Sequence, residues 1–129
     1  MLSRDAFFRL CRARDRLRDL DGGQPPVSEV ARAAGLSEAH FIRLFGALFG
    51  ESPHQCRIAA RLDRARALLA GGEATVTMIC FEVGFSSLGG FSALFSERTG
   101  MSPVAYRRKM RGRGPAPHCL ELMTGAPAE

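Results

Sequence analysis

Tryptophan is absent from the 129-residue chain, tyrosine occurs once (Tyr106), lysine once (Lys109) and histidine three times. No apolar run approaches the roughly 20 residues that a membrane-crossing helix needs. The opening Met1-Leu2-Ser3-Arg4-Asp5 has an acid by position 5 and leads into no uninterrupted apolar core of the kind a secretory leader carries, so a cytoplasmic chain with no membrane association is expected. Cys11, Cys56, Cys80 and Cys119 are widely spaced with no C-x-x-C pair, which argues against a structural zinc site and supplies no disulfide framework. They read as small apolar residues or free thiols. His40, His54 and His118 share no metal-ligand spacing, and the neighbouring His118-Cys119 does not align as base and nucleophile. A glycine-rich nucleotide loop and a carboxylate pair suited to acid–base work are also missing. The expected inventory is therefore no catalytic residue, no metal and no cofactor, and the chain reads as something other than an enzyme.

What the chain does have is 46% hydrophobic residues, 24% charged residues and a net charge of +5, enough for one compact domain or two very small ones on a shared spine. It also has an internal repeat. Residues 27–57 overlay residues 76–107 with one extra residue in the second copy, pairing Gly35 with Gly84, Ser37 with Ser87, Phe41 with Phe91, Phe45 with Phe95, Gly50 with Gly100, Ser52-Pro53 with Ser102-Pro103 and Arg57 with Arg107. A device used twice is the first architectural fact.

Each copy reads as a short helix, a tight turn and a second helix. Val27, Val30, Ala31 and Ala34 follow helical spacing, and Gly35 and Gly84 stand where a helix end commonly takes a left-handed residue. Ser37 and Ser87 are placed to cap the second helices, whose inward residues are Phe41, Leu44, Phe45 and Leu48 in one copy and Phe91, Leu94 and Phe95 in the other. Gly50 and Gly100 stop them. This is the helix-turn-helix pattern, whose second helix can enter a DNA major groove. Between the copies, Ser52-Pro53-His54-Gln55 forms a capping box that starts a linker helix running to Ala70, with Gly71-Gly72 as its stop; at 1.5 Å per residue it spans roughly 27 Å. An amphipathic helix from Ser3 to Leu20, with Ala6, Phe7, Leu10 and Leu17 inward, is expected to cover the first copy.

The resulting expectation is an all-α protein with two tandem helix-turn-helix subdomains joined by a long linker helix. Its segments are 1–22 (N-terminal helix), 23–52 (first helix-turn-helix), 53–72 (linker helix), 73–110 (second helix-turn-helix and final helix) and 111–129 (a flexible or folded-back tail). The second copy, Ile79-Cys80-Phe81-Glu82-Val83-Gly84-Phe85-Ser86-Ser87 through Gly100-Met101-Ser102-Pro103-Val104-Ala105-Tyr106-Arg107, resembles the DNA-binding domain of AraC/XylS transcription regulators. The first copy, Gly35-Leu36-Ser37 through Phe41-Ile42-Arg43-Leu44-Phe45 and Gly50-Glu51-Ser52-Pro53, resembles the other half of that pattern. The resemblance covers residues 3–110. It implies about seven helices, two recognition helices in successive major-groove segments of promoter DNA, and RNA polymerase as a possible further partner. The chain then reads as a stand-alone member or as the DNA-binding fragment of a longer effector-sensing regulator.

Matching the family pattern puts Ala39, Ile42 and Arg43 on base-facing positions, with Arg43 able to donate two hydrogen bonds to a guanine edge. Candidates for phosphate contact or close backbone approach are Ser37, His40, Ser86, Ser87, Gly89, Gly90, Ser92, Arg107, Arg108 and Lys109. Arg57, Arg61, Arg64, Arg66, Arg98, Arg111 and Arg113 are further cations, some of them expected to pair with Asp63, Glu82 or Glu97. The second recognition helix lacks long polar side chains at Leu88, Gly89, Gly90, Ser92 and Ala93, which departs from the family pattern. Two different recognition helices in one chain imply a monomer on an asymmetric site. The competing reading is a DNA-free helical interaction adaptor, which salt-sensitive duplex binding separates from a regulator.

Overall fold

The computed structural model describes residues 2–113. The described chain is helical, in the order α1 (Arg4–Arg18), α2 (Val27–Ala33), α3 (Glu38–Phe49), α4 (Pro53–Gly71), α5 (Val76–Glu82), α6 (Leu88–Thr99) and α7 (Pro103–Arg113), with no strand among the described residues. It divides into two compact units between Asp63 and Arg64, inside α4.

In the first unit the hydroxyl of Ser3 caps α1 by accepting from the Ala6 amide at 3.0 Å. Leu10, Ala13 and Leu17 carry the buried face of α1 into a core with Val30, Ala31, Phe41, Phe45 and Cys56. Two expectations need correction here. Phe7 is 40% exposed, because helical spacing fixes a direction without fixing how much covers it; its ring meets the neighbouring exposed Phe8 edge-on. The helix also ends at Arg18 rather than Leu20, since Asp19 adopts an extended backbone and its carboxylate accepts from the Asp21 amide at 3.1 Å. Gly35 then takes φ +78° in the α2–α3 turn. Arg9, half-buried, donates to the Ala34 carbonyl at 2.9 Å and holds α1 against that turn.

Ser37 starts α3 by accepting from the His40 amide at 3.2 Å, and left-handed Gly50 ends it. Ser52 and Gln55 form the expected reciprocal box at the start of α4, each amide donating to the other's side chain at 2.9 and 3.0 Å. Phe41, Phe45 and Phe49 stack along the inner side of α3 with centroids 5.5 and 4.6 Å apart.

The second unit repeats this chemistry. Thr75 caps α5 and Ser87 caps α6, accepting from the Met78 and Gly90 amides at 3.1 and 3.0 Å. Gly84 turns between them at φ +116° and Gly100 ends α6 at φ +83°. Ile79, Cys80, Val83, Phe91 and Phe95 are buried. Phe85, Phe91, Phe95 and Tyr106 form a chain of ring contacts with centroids 5.2 to 5.7 Å apart. The last helix continues to Arg113, three residues past the expected end at Met110, and Arg111 in its last turn donates to the Gly72 carbonyl. The tail expectation, with Cys119 and His118, lies at residues 114–129, outside the described residues.

Candidate nucleic-acid interface

Helical geometry puts Ala39, Ile42, Arg43 and Gly46 on one face of α3, opposite the buried Phe41 and Phe45. Ala39 and Arg43 are exposed and Ile42 is 40% exposed. The structure therefore keeps the three base-reading candidates together on an unpacked surface. His40, also exposed, stands beside them at a groove of about 630 Å³ lined with it by Leu2, Ala6, Leu36, Leu44 and Leu48.

The equivalent face of α6 carries Gly89, Ser92, Ala93 and Ser96. A Cβ added at Gly89 would meet nothing within 4 Å, whereas one at Gly90 would lie 2.9 Å from the capping Ser87 oxygen. Gly90 is thus tied to the cap and Gly89 to nothing inside the protein. Ser86 and Ser87 are exposed at the start of α6 and Ser92 is half-buried. Ser37 and Ser87 spend an acceptor lone pair on backbone amides, which leaves each hydroxyl hydrogen free to donate outward.

The arginines separate by role. Arg107 leaves the phosphate set: its Nε and Nη2 donate to the Leu69 and Ala74 carbonyls at 3.2 and 2.6 Å. Arg57 does the same in the first unit, donating to Leu17 and Pro25 at 3.4 and 2.5 Å, and is buried. Burial, and then the nearby Arg61 guanidinium, push the Arg57 pKa down. These two repeat-equivalent arginines join the end of one helix to the loop leading into the next helix-turn-helix. Arg61 donates to the Gln24 side chain at 2.9 Å, Arg18 pairs with Asp63 at 3.2 Å and Arg16 with Glu29 at 3.6 Å. Of the carboxylates named from the sequence as partners, Asp63 takes up that role, with Arg18. Arg43, Arg66, Arg98, Arg108 and Lys109 remain exposed.

Cys56 and Cys80 are fully buried. Burial pushes both thiols up, with the Glu51 carboxylate adding to the effect at Cys56, and the Cys80 thiol donates to the Ser87 carbonyl at 3.5 Å. A thiolate-based sensor at either position is disfavoured by that environment. Among the described residues no cluster of three metal-ligating side chains occurs and no helix is long and apolar enough to cross a membrane.

Two capped helix-turn-helix units on one chain, each presenting an unpacked second-helix face, define a tandem helix-turn-helix domain. A family profile for the helix-turn-helix domain matches residues 30–109, and the chain belongs to the AraC-type family of helix-turn-helix regulators. It is 36% identical over 81 residues to a probable transcriptional regulator, LumQ, of Photobacterium leiognathi, covering 63% of this chain and 33% of that one. It is 33% identical over 91 residues to the MmsAB operon regulatory protein of Pseudomonas aeruginosa, covering 70% and 30%. The chain therefore spans about a third of the length of these relatives. Among solved structures, it is similar to an AraC-type regulator from Chromobacterium violaceum, with a TM-score of 0.74, 25% identity, and 84% and 96% of the two chains covered. The DNA-binding domain of AdpA in complex with a target DNA matches with a TM-score of 0.71, 30% identity, and 89% and 100% covered.

Proposed function

We propose that this chain is a sequence-specific double-stranded DNA-binding transcription regulator that places α3 and α6 in successive major-groove segments of promoter DNA and binds as a monomer in the cytoplasm. The observation that carries the reading is the pair of unpacked second-helix faces, each held by its own serine cap and glycine turn and repeated at matching positions. Similarity to a domain solved on its target DNA supports it. In this reading Arg43 donates to a guanine edge while Ala39 and Ile42 meet thymine methyl groups. Ser37, Ser86, Ser87, Ser92, Arg108 and Lys109 hold phosphates, and Gly89 lets the α6 backbone approach the duplex. His40 takes a phosphate only from the rim of its groove. RNA polymerase is the natural second partner of a promoter-bound regulator.

Fluorescence anisotropy across a salt series tests the proposal. With roughly five to eight phosphates neutralised, log affinity should fall against log salt with a slope of about −5 to −7. No duplex affinity at low salt would sink the regulator reading and favour the adaptor.

A further inference from the structure

On α5, Met78 and Phe81 lie three residues apart and therefore on one helix face, 59% and 53% exposed. Glu82, four residues from Met78, stands exposed beside them. The matching positions of α2 are Glu29, Arg32 and Ala33, all exposed, and Glu29 pairs with Arg16 at 3.6 Å. The same two places on the helix-turn-helix framework are thus charged surface in the first unit and large apolar surface in the second. Core packing does not account for the change, because the buried positions of the two helices correspond: Val30 with Ile79, Ala31 with Cys80 and Ala34 with Val83. An exposed methionine and phenylalanine side by side lower the free energy only when something covers them.

The groove of about 630 Å³ in the first unit is the reverse case. Leu2 and Ala6 wall it on the α1 side, Leu36, Leu44, Ala47 and Leu48 on the other, and His40 is the one titratable group in its lining. The four leucines rest on the core beneath yet stay partly exposed. Leu36 and Leu44 have apolar counterparts in Phe85 and Leu94, whereas Ala47 and Leu48 stand where the second unit has Glu97 and Arg98. The groove wall is therefore apolar in the unit whose first helix is polar, and charged in the unit whose first helix is apolar. Each unit holds the half of a contact that the other lacks.

We propose that the groove is filled by a second copy of this chain: Met78 and Phe81 of one copy enter the first-unit groove of the next, with Glu82 beside His40. This is helix-in-groove recognition with anchors at i and i+3. The lining carries no carboxylate, arginine or lysine, so its occupant is apolar, and the α5 face supplies two apolar anchors with one acid next to them for the imidazole. Anchor and groove lie on different units, so the contact is heterologous and leaves each copy of a pair with one half unused for a further neighbour. An anchor of two side chains belongs with the small, transient interfaces under about 1,200 Å². Copies therefore join at high concentration, or where a duplex holds neighbours close together. Each chain still takes its own DNA site, and the contact is tested without DNA.

Sedimentation velocity of the full chain from micromolar to millimolar concentration is the test, and the average mass should rise across that range. Phe81→Asp removes an anchor and keeps the groove; Ala47→Glu charges the groove and keeps the anchors. Each variant alone should self-associate more weakly by about tenfold or more. Mixed together, the two should recover association and stop at a dimer, because one intact groove and one intact α5 face remain between them. Both substitutions fall on exposed positions, and the second copy already carries Glu97 where Ala47 stands. Circular dichroism reports folding, and Met78→Glu serves if Phe81→Asp misfolds. Three outcomes would overturn the contact. The first is monomer mass at every concentration. The second is a folded variant that associates as the parent does, which seats some other segment in the groove or on α5. The third is a mixture that stays monomeric, which assigns association to like faces meeting.

Discussion

A glycine near the start of α6 costs that helix up to ~1 kcal/mol relative to alanine, and at Gly89 nothing inside the protein requires it. The backbone is not left-handed and a Cβ would meet no atom within 4 Å. Gly89→Ala should therefore raise the melting temperature while weakening duplex binding; a variant that is both more stable and equally tight on DNA would remove Gly89 from the interface. Gly84 is the opposite case, since its φ of +116° strains any β-branched replacement. Gly84→Val should lower the melting temperature sharply. The buried thiols make a third residue-scale prediction. Burial raises the pKa of Cys56 and Cys80 above their ordinary 9.0, so the folded protein holds these protons to higher pH than the unfolded chain does. Their contribution to stability is full below that value and is lost as pH climbs through the raised one. Urea melts from pH 7 to pH 10 should show falling stability, and Cys80→Ala should flatten the fall.

At the scale of elements, the repeated arginine clamp joins each helix end to the loop that follows. Replacing Arg107 by leucine strips two carbonyls of their donors, a loss of about 1–3 kcal/mol for each acceptor left buried. Arg107→Leu should open α5 and α6 to amide hydrogen exchange, and Lys should rescue poorly because an ammonium lacks the guanidinium fork. Unchanged protection would reduce the clamp to a surface contact. This clamp also marks where the sequence stopped being readable. Serine caps, the Ser52–Gln55 box and the glycine stops were legible because each is settled among residues three or four positions apart. The partners of Arg57 and Arg107 are backbone carbonyls 32 to 40 residues away, and a carbonyl carries no side-chain signature. Arg9 was missed for the same reason, since its acceptor is the Ala34 carbonyl. Phe7 erred the other way: its spacing was right, but what lies opposite it is a tertiary fact. On the candidate interface, the outward positions of α3 followed from periodicity, whereas the place of the exposed His40 at the edge of a groove lined by α1 and α3 depended on where α1 sits.

For the molecule as a whole, the two second-helix faces predict an uneven division of recognition. Arg43 can hold a base edge with two hydrogen bonds, while Gly89, Ser92 and Ala93 offer at most one hydroxyl. Fragments selected from a random duplex library should carry most of their sequence information under α3. Arg43→Ala should relax preference at one or two base pairs by ~1–3 kcal/mol, while Arg108→Ala should weaken all sequences nearly alike. Equal information under α6 would point to DNA shape as its mode of reading. The open space around Gly89 has a consequence for how such a chain changes over generations. Because the core, caps and clamps make no demand on that position, a lineage can exchange it, along with the exposed Ala93, without first acquiring compensating changes elsewhere. New promoters can then be recruited through the second unit while the first holds the old ones, so descendants can extend a regulon before they abandon any part of it.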